Sequence, residues 1–213
     1  TDGNGTADEA ERNIISGNNQ HGVRIDGANA KDNRVLGNII GLDVTGTVDV
    51  GNSNNGVYVN GAPNNTVGGT AAGARNIISG NEDNGVFLDA AGATGNQVLG
   101  NYVGTDITGA LDRGNTDDGV RINNAGGNTI GGTTAEARNI ISGNNGEGVE
   151  ITGATTANNV VQGNFIGTDA AGTTGIANNS HGVVFSGNAK SNTIGGTAAG
   201  AGNLISFNGA DGI

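Results

Sequence analysis

The chain has 213 residues and a formal net charge of −11, with nine Lys and Arg against twenty Asp and Glu. So acidic a balance, with its few cations dispersed, argues against nucleic acid, whose phosphates need basic groups, and no apolar run reaches the roughly 18 residues of a membrane span. Cys is absent, which excludes disulfides and thiolate metal sites.

Composition also bounds the core. There are 43 Gly, one Pro, four Phe, two Tyr and no Trp or Met. The apolar third of the chain is mostly Val, Ile and Ala, and it recurs on a schedule, which a disordered tract has no need of. A thin, regular core of stacked Val and Ile is expected.

The first element met along the chain is "RNIISGN" at 12–18, written again at 75–81 and 138–144, with a worn copy "GNLISFN" at 202–208. Self-similarity at a fixed period is the mark of a repeat architecture. Within the 63-residue period three short strand-like patterns cycle. "NIIS" or "NIIG" begins at Asn13, Asn38, Asn76, Asn101, Asn139, Asn164 and Asn203. "GVxI" begins at Gly22, Gly56, Gly85, Gly119, Gly148 and Gly182. "NxVxG" or "NxIGG" begins at Asn33, Asn65, Asn96, Asn128, Asn159 and Asn192. The spacing divides the chain into coils 13–37, 38–75, 76–100, 101–138, 139–163 and 164–202, alternating 25 and about 38 residues, with partial coils at both ends.

Strands of three to five residues separated by turn residues, in the same order each time, predict parallel stacking coil on coil at about 4.8 Å. The expected fold is all-β, a right-handed single-stranded parallel β-helix with three short strands per coil, the hand taken from the crossover rule. Its length would be about 30 Å. Val23, Val57, Val86, Val120, Val149 and Val183 form one expected inward column, and Ile25, Val59, Leu88, Ile122, Ile151 and Phe185 the next. Val35, Val67, Val98, Ile130, Val160 and Ile194 are expected to supply the third wall. The two strict Asn columns are read as corner residues whose amides hydrogen-bond along the stack.

"NTIGGTTAEARNIISGNNGEGVEITGA" at 128–154, followed by "NFIGTD" at 164–169, resembles the parallel β-helix repeats of large secreted bacterial surface proteins. The resemblance covers nearly the whole chain. The same fold serves pectate lyases, polygalacturonases and phage tailspikes, so it implies a scaffold rather than one activity. With the composition it implies a secreted or cell-surface bacterial protein.

Function is sought where the columns vary. The long-coil loops carry Asp43, Asp106 and Asp169, with a second carboxylate at Asp49 and Asp112 that becomes Gly175. Ca²⁺ near Asp43, Asp106, Asp112 and Asp169 is one reading, and an Asp capping its own turn is the other. The column before each "GVxI" runs His21, Asn55, Asn84, Asp118, Glu147, His181, so two carboxylates fall on adjacent coils. Close like charges push proton affinities apart, which is how an acid and a base arise from similar groups. The outward column reads Arg24, Tyr58, Phe87, Arg121, Glu150, Val184. Asp118, Glu147, Arg121 and Glu150 are therefore the candidate catalytic centre, and Tyr58, Phe87, Asp89 and Arg24 the candidate sugar-contacting residues. The clustered Asp motifs of polygalacturonases and the calcium-plus-Arg signature of pectate lyases are not matched.

The doublets "II", "YV" and "FI" raise one more question, because a strand points only one of two neighbours inward. Ile14, Ile39, Ile77, Tyr102, Ile140, Phe165 and Leu204 form a second apolar stripe. Either the small-residue insertions at 70–75, 133–138 and 197–202 cover it, a bend at the Asn turns it inward, or it is a face for lateral self-association. The chain shows no signal-peptide pattern, and no cap is expected at either end, which suggests a window on a longer array or end-to-end association. The expectation is a structural or adhesive solenoid module, with glycan the candidate partner; the alternative is a polysaccharide lyase or glycoside hydrolase acting on the "GVxI" face.

Overall fold

Gly and Asn corners cut the chain into strands of two to four residues, too short to stand alone and held only by the coils above and below. In the computed structural model, which describes residues 11–71 and 73–213, these strands assemble into a parallel β-solenoid. Among the described residues there is no helix, and three sheets run the length of the rod. The first contains Ile14–Ile15, Ile39–Ile40, Ile77–Ile78, Tyr102–Val103, Ile140–Ile141, Phe165–Ile166 and Leu204–Ile205. The second, the "GVxI" sheet, contains Val23–Asp26, Val57–Asn60, Val86–Asp89, Val120–Asn123, Val149–Thr152 and Val183–Phe185. The third begins at Arg34–Val35 and ends at Thr193–Ile194. Every strand pairing is parallel and in register, so each side chain stacks on its counterpart one coil away.

The core is the set of inward columns. Val57, Val86, Val120 and Val149, with Val59, Leu88, Ile122 and Ile151, are fully buried, as are Ile40, Ile78, Val103, Ile141 and Ile166 opposite them. One wall differs from the expectation. Val98, Ile130 and Ile194 line up with Val161, which is fully buried, whereas Val160 pairs with Thr129 and Thr193 and is only half-buried. The inward residue lies two after the ladder Asn, as in Asn33–Val35; two adjacent Val conceal that phase. Phe185 does share its column with Ile151 but remains 40% exposed, because its strand is the last of its sheet.

Each residue of "RNIISGN" has an assignable task. Its Asn belongs to a ladder in which Nδ2 of one coil donates to Oδ1 of the next, 2.8–3.1 Å apart from Asn13 through Asn203. The second Ile enters the core. The Ser hydroxyl donates to the first residues of the next long loop, Ser79 to Thr105 O and Ser142 to Thr168 O, both 2.8 Å. The Gly takes a left-handed φ, +72 at Gly17, +70 at Gly80 and +81 at Gly143, which L side chains adopt only with strain. The closing Asn belongs to a further ladder. In two copies the Arg lies over an aromatic ring of the next coil: Arg75 sits 4.1 Å from the Tyr102 centroid and Arg138 3.9 Å from that of Phe165.

That Arg helps answer the question of the second apolar stripe. Ile39, Ile77, Tyr102 and Ile140 are buried, with Leu42 beside them and Ile107, Phe165 and Ala170 packed against the group. The cover comes from the long-coil loops at 42–49, 105–112 and 168–175, and from Arg75 and Arg138, the last residues of two of the small-residue insertions. Loops two coils apart bond to one another, Ile107 N to Gly46 O at 3.0 Å and Ala170 N to Gly109 O at 2.9 Å. The stripe is therefore not an open face for lateral association over its middle; Ile14 is 41% exposed, and Phe165 and Leu204 are half-buried.

The corner after the "GVxI" strands yields a stability test. Gly27, Gly61, Gly153 and Gly187 all have positive φ there, Asn124 has +51, and Ala90 is held at +69. Ala90→Gly should stabilise the fold by about 1 kcal/mol, read as a higher denaturant midpoint at unchanged m-value. A lower midpoint would mean that the Ala90 methyl packs more than its backbone strains.

Candidate functional site

The "GVxI" sheet presents its alternate side chains outward. Register places Arg24 beside Tyr58, Tyr58 beside Phe87, Phe87 beside Arg121, Arg121 beside Glu150 and Glu150 beside Val184. The expected catalytic and sugar-contacting residues thus share one face. How they are engaged decides what that face can do.

The aromatic rings engage one another. His21 stacks on Tyr58 at 4.6 Å between centroids, and Phe87 packs against Tyr58 at 5.4 Å with the rings tilted by 40°. Arg24 lies 5.9 Å from the Tyr58 centroid and Arg121 5.7 Å from that of Phe87. A sugar platform needs a free ring face, and here Tyr58 has His21 on one side and Phe87 on the other. The Tyr58 hydroxyl donates to Asp89 Oδ2 at 3.1 Å, and burial together with that acceptor pushes the phenol up. Asp89 Oδ1 also accepts from Asn123 Nδ2 at 3.0 Å and from Ala90 N at 2.9 Å. Arg24 pairs with Asp26 at 2.8 Å.

The column preceding the strands begins as another amide ladder. Asn55 Nδ2 meets His21 Nδ1 at 3.2 Å, and Asn84 donates to Asn55 Oδ1 through both its backbone N (3.2 Å) and Nδ2 (2.9 Å). Asp118 occupies the next slot. Its N donates to Asn84 Oδ1 at 3.2 Å, and its own Oδ1 accepts from Glu147 N at 2.9 Å, as an Asn oxygen would. Its Oδ2 receives no N–H or O–H donor, and the residue is 1% exposed.

Around Asp118 the charges are close. Arg121 reaches Asp118 Oδ2 at 3.8 Å, Asp117 at 3.5 Å and Glu150 at 3.1 Å. Glu147 Oε1 accepts from Ser180 Oγ at 3.0 Å and lies 3.5 Å from His181 Nδ1. Burial, reinforced by the Glu147 carboxylate, pushes Asp118 up to about 9. Burial also acts upward on Glu147, but bonding from Asp118, Ser180 and His181 outweighs it and holds that group below its ordinary value. Asp117 is raised by burial and by its acidic neighbours, with Arg121 opposing. The sheet therefore does assemble Asp118, Glu147, Arg121 and Glu150, and it drives two carboxyls apart in proton affinity. Asp118 lies beneath the surface; Arg121, Glu147 and Glu150 are the accessible members.

The loop carboxylates that suggested Ca²⁺ serve their own turns. Asp43 Oδ1 accepts from Thr47 N and Val48 N, both 3.1 Å, and Asp106 Oδ1 from Ala110 N and Leu111 N, both 3.0 Å. Asp169 Oδ1 accepts from Thr173 N at 2.8 Å and Thr174 N at 3.1 Å. Among the described residues no group of three or more His, Cys, Asp or Glu is arranged to hold a metal ion.

The change from carboxylate to Gly175 has a packing reason. The side chain of Asp112 lies against the loop Gly143, where an added Cβ would meet Oδ1 at 2.5 Å, and Asp49 lies likewise against Gly80 at 3.1 Å. One period later the pair is inverted. Phe207 stands where Gly17, Gly80 and Gly143 stood, at φ +62, and its ring fills the space over Gly175, 2.9 Å from where a Cβ would be. Gly175→Asp alone should cost about 1–3 kcal/mol by overpacking, and Phe207→Gly in the same chain should recover much of it. A double-mutant cycle is expected to show coupling of about 1 kcal/mol or more; additive losses would contradict the contact.

A third asparagine ladder follows the long loops and the "RNIISGN" corners. Asn18, Asn52, Asn81, Asn115, Asn144, Asn178 and Asn208 join Nδ2 to Oδ1 at 2.7–2.9 Å through the whole series. The signal was available in the final Asn of "RNIISGN". In alternate coils, however, its counterparts follow long loops ending "VGN", "RGN" and "IAN".

The fold and the three ladders define the molecule as an asparagine-laddered parallel β-solenoid. Comparison with protein-family models, curated proteins and solved structures returned no match. No helix among the described residues is long and apolar enough to cross a membrane.

Proposed function

We propose that the chain is a structural and adhesive module of an extracellular bacterial protein, a stiff solenoid segment that holds its outer loops and sheet face at fixed spacing. One observation supports this most: the polar and aromatic groups of the outward sheet face are engaged coil to coil, ring on ring and Arg on carboxylate. Such groups stiffen a rod. The accessible Arg121, Glu147 and Glu150 form the patch through which it meets glycan.

A second reading, a polysaccharide lyase or hydrolase on the same face, is favoured by one observation, the opposed proton affinities of Asp118 and Glu147. Incubation with acidic and neutral polysaccharides, with calcium and with chelator, separates the two. On the structural reading, reducing ends and new unsaturation stay at the level of the Asp118→Asn, Glu147→Gln double variant, while retention on glycan is lost with Arg121→Ala. Turnover that the double variant abolishes would replace the structural reading with the catalytic one.

A further inference from the structure

The geometry points to a buried proton-binding site: Asp118 stands in an amide slot as a neutral carboxylic acid, and its proton bridges to the Glu147 carboxylate, joining the coil 101–138 to the coil 139–163. In the preceding coil, Asn84 fills the equivalent slot with an oxygen that accepts from Asp118 N of the coil after and an Nδ2 that donates to Asn55 of the coil before. Asp118 Oδ1 reproduces the acceptor by taking the Glu147 N–H at 2.9 Å. Its other oxygen is buried and receives no N–H or O–H donor. A carboxylate has no donor to place there; a carboxylic acid has one. Leaving the group charged would bury an anion with Arg121 at 3.8 Å as its nearest cation, and Arg121 is shared with Asp117 and Glu150.

The neighbouring carboxylates favour the protonated form, and Arg121 opposes it. Asp117 and Arg121 belong to the same coil, Glu147 and Glu150 to the next, and His181 lies beyond Glu147. Asp83, from the coil before, adds negative charge at Asp117. Of the two carboxyls, Asp118 keeps the proton because it is the more buried, and Glu147 stays charged because Ser180 and His181 also bond to it.

The sign of the pH effect follows. Asp118 has its folded-state affinity raised from the ordinary 3.8 to about 9. Between those limits the folded chain holds a proton that the unfolded chain has released, so this contribution to stability falls as pH rises through the window. Glu147, held below its ordinary value, acts oppositely and only at the acid end. The bridge is thus closed in mildly acidic surroundings and weakened in alkaline ones.

Denaturant unfolding of the wild type and of Asp118→Asn, from pH 5 to pH 8, tests this. Asn restores the slot without a titrating group, so the unfolding constant of the wild type should rise relative to the variant, by up to about tenfold per pH unit. Parallel curves would overturn the proposal. A carbon-detected titration of the Asp118 carboxyl in the intact wild-type chain needs no variant. No change is expected between pH 5 and pH 7, and a midpoint near 4 would show an ordinary ionised Asp.

Discussion

Asn139→Asp, an almost isosteric change, is expected to destabilise the rod by about 3–5 kcal/mol at neutral pH. Asn139 is fully buried. Its Nδ2 donates to Val98 O at 2.8 Å and to Asn164 Oδ1 at 2.9 Å, while its Oδ1 accepts from Asn101 N at 2.9 Å and from Asn101 Nδ2 at 3.1 Å. The new carboxylate keeps both acceptor contacts and loses both donors. It would also set a buried negative charge against two oxygens. The loss relative to wild type should shrink in acid, where the carboxyl recovers one donor. Asn13→Asp, at the exposed end of the same ladder, should cost less than about 1 kcal/mol. Chemical denaturation of the two variants at two pH values checks both statements, and equal losses would mean that the ladder is decorative.

The second large effect is expected at Gly104. A Cβ there would stand 2.2 Å from Ser142 O and 2.5 Å from Asn144 Oδ1, at a φ of +89. Gly104→Ala must therefore push the next coil away or break two ladder contacts, and a loss of about 3 kcal/mol or more is expected. Gly27 has nearly the same φ, +88, but nothing within 4 Å of its Cβ position. Gly27→Ala should then show the conformational cost alone, about 1 kcal/mol. The difference between the two measures how tightly one coil seats on the next.

The architecture was legible because the repeat writes it many times. Two of the ladders and the inward Val and Ile columns sit at constant offsets from an Asn, and parallel stacking follows from three strands in the same order per coil. Legibility failed where the offset changed or the residue type was ambiguous. Adjacent Val160 and Val161 hid the phase of one wall, and loops of varied ending hid the ladder through Asn52, Asn115 and Asn178. Much of the cover over Ile77 and Tyr102 comes from loops two coils apart, joined by backbone bonds that no side-chain pattern announces. At the sheet face, sequence could gather Asp118, Glu147, Arg121 and Glu150. It could not show that Asp118 is buried or that Tyr58 is enclosed between His21 and Phe87, since both depend on side-chain packing between coils.

The most direct test of a rod held by continuous asparagine ladders is hydrogen exchange at the side-chain amides, followed by NMR. The Nδ2 protons of Asn76, Asn101, Asn139 and Asn164, and of Asn81, Asn115 and Asn144 in the third ladder, should exchange many times more slowly than those of the exposed Asn19 and Asn188. Exchange of the ladder amides at the rate of the exposed ones would contradict the account.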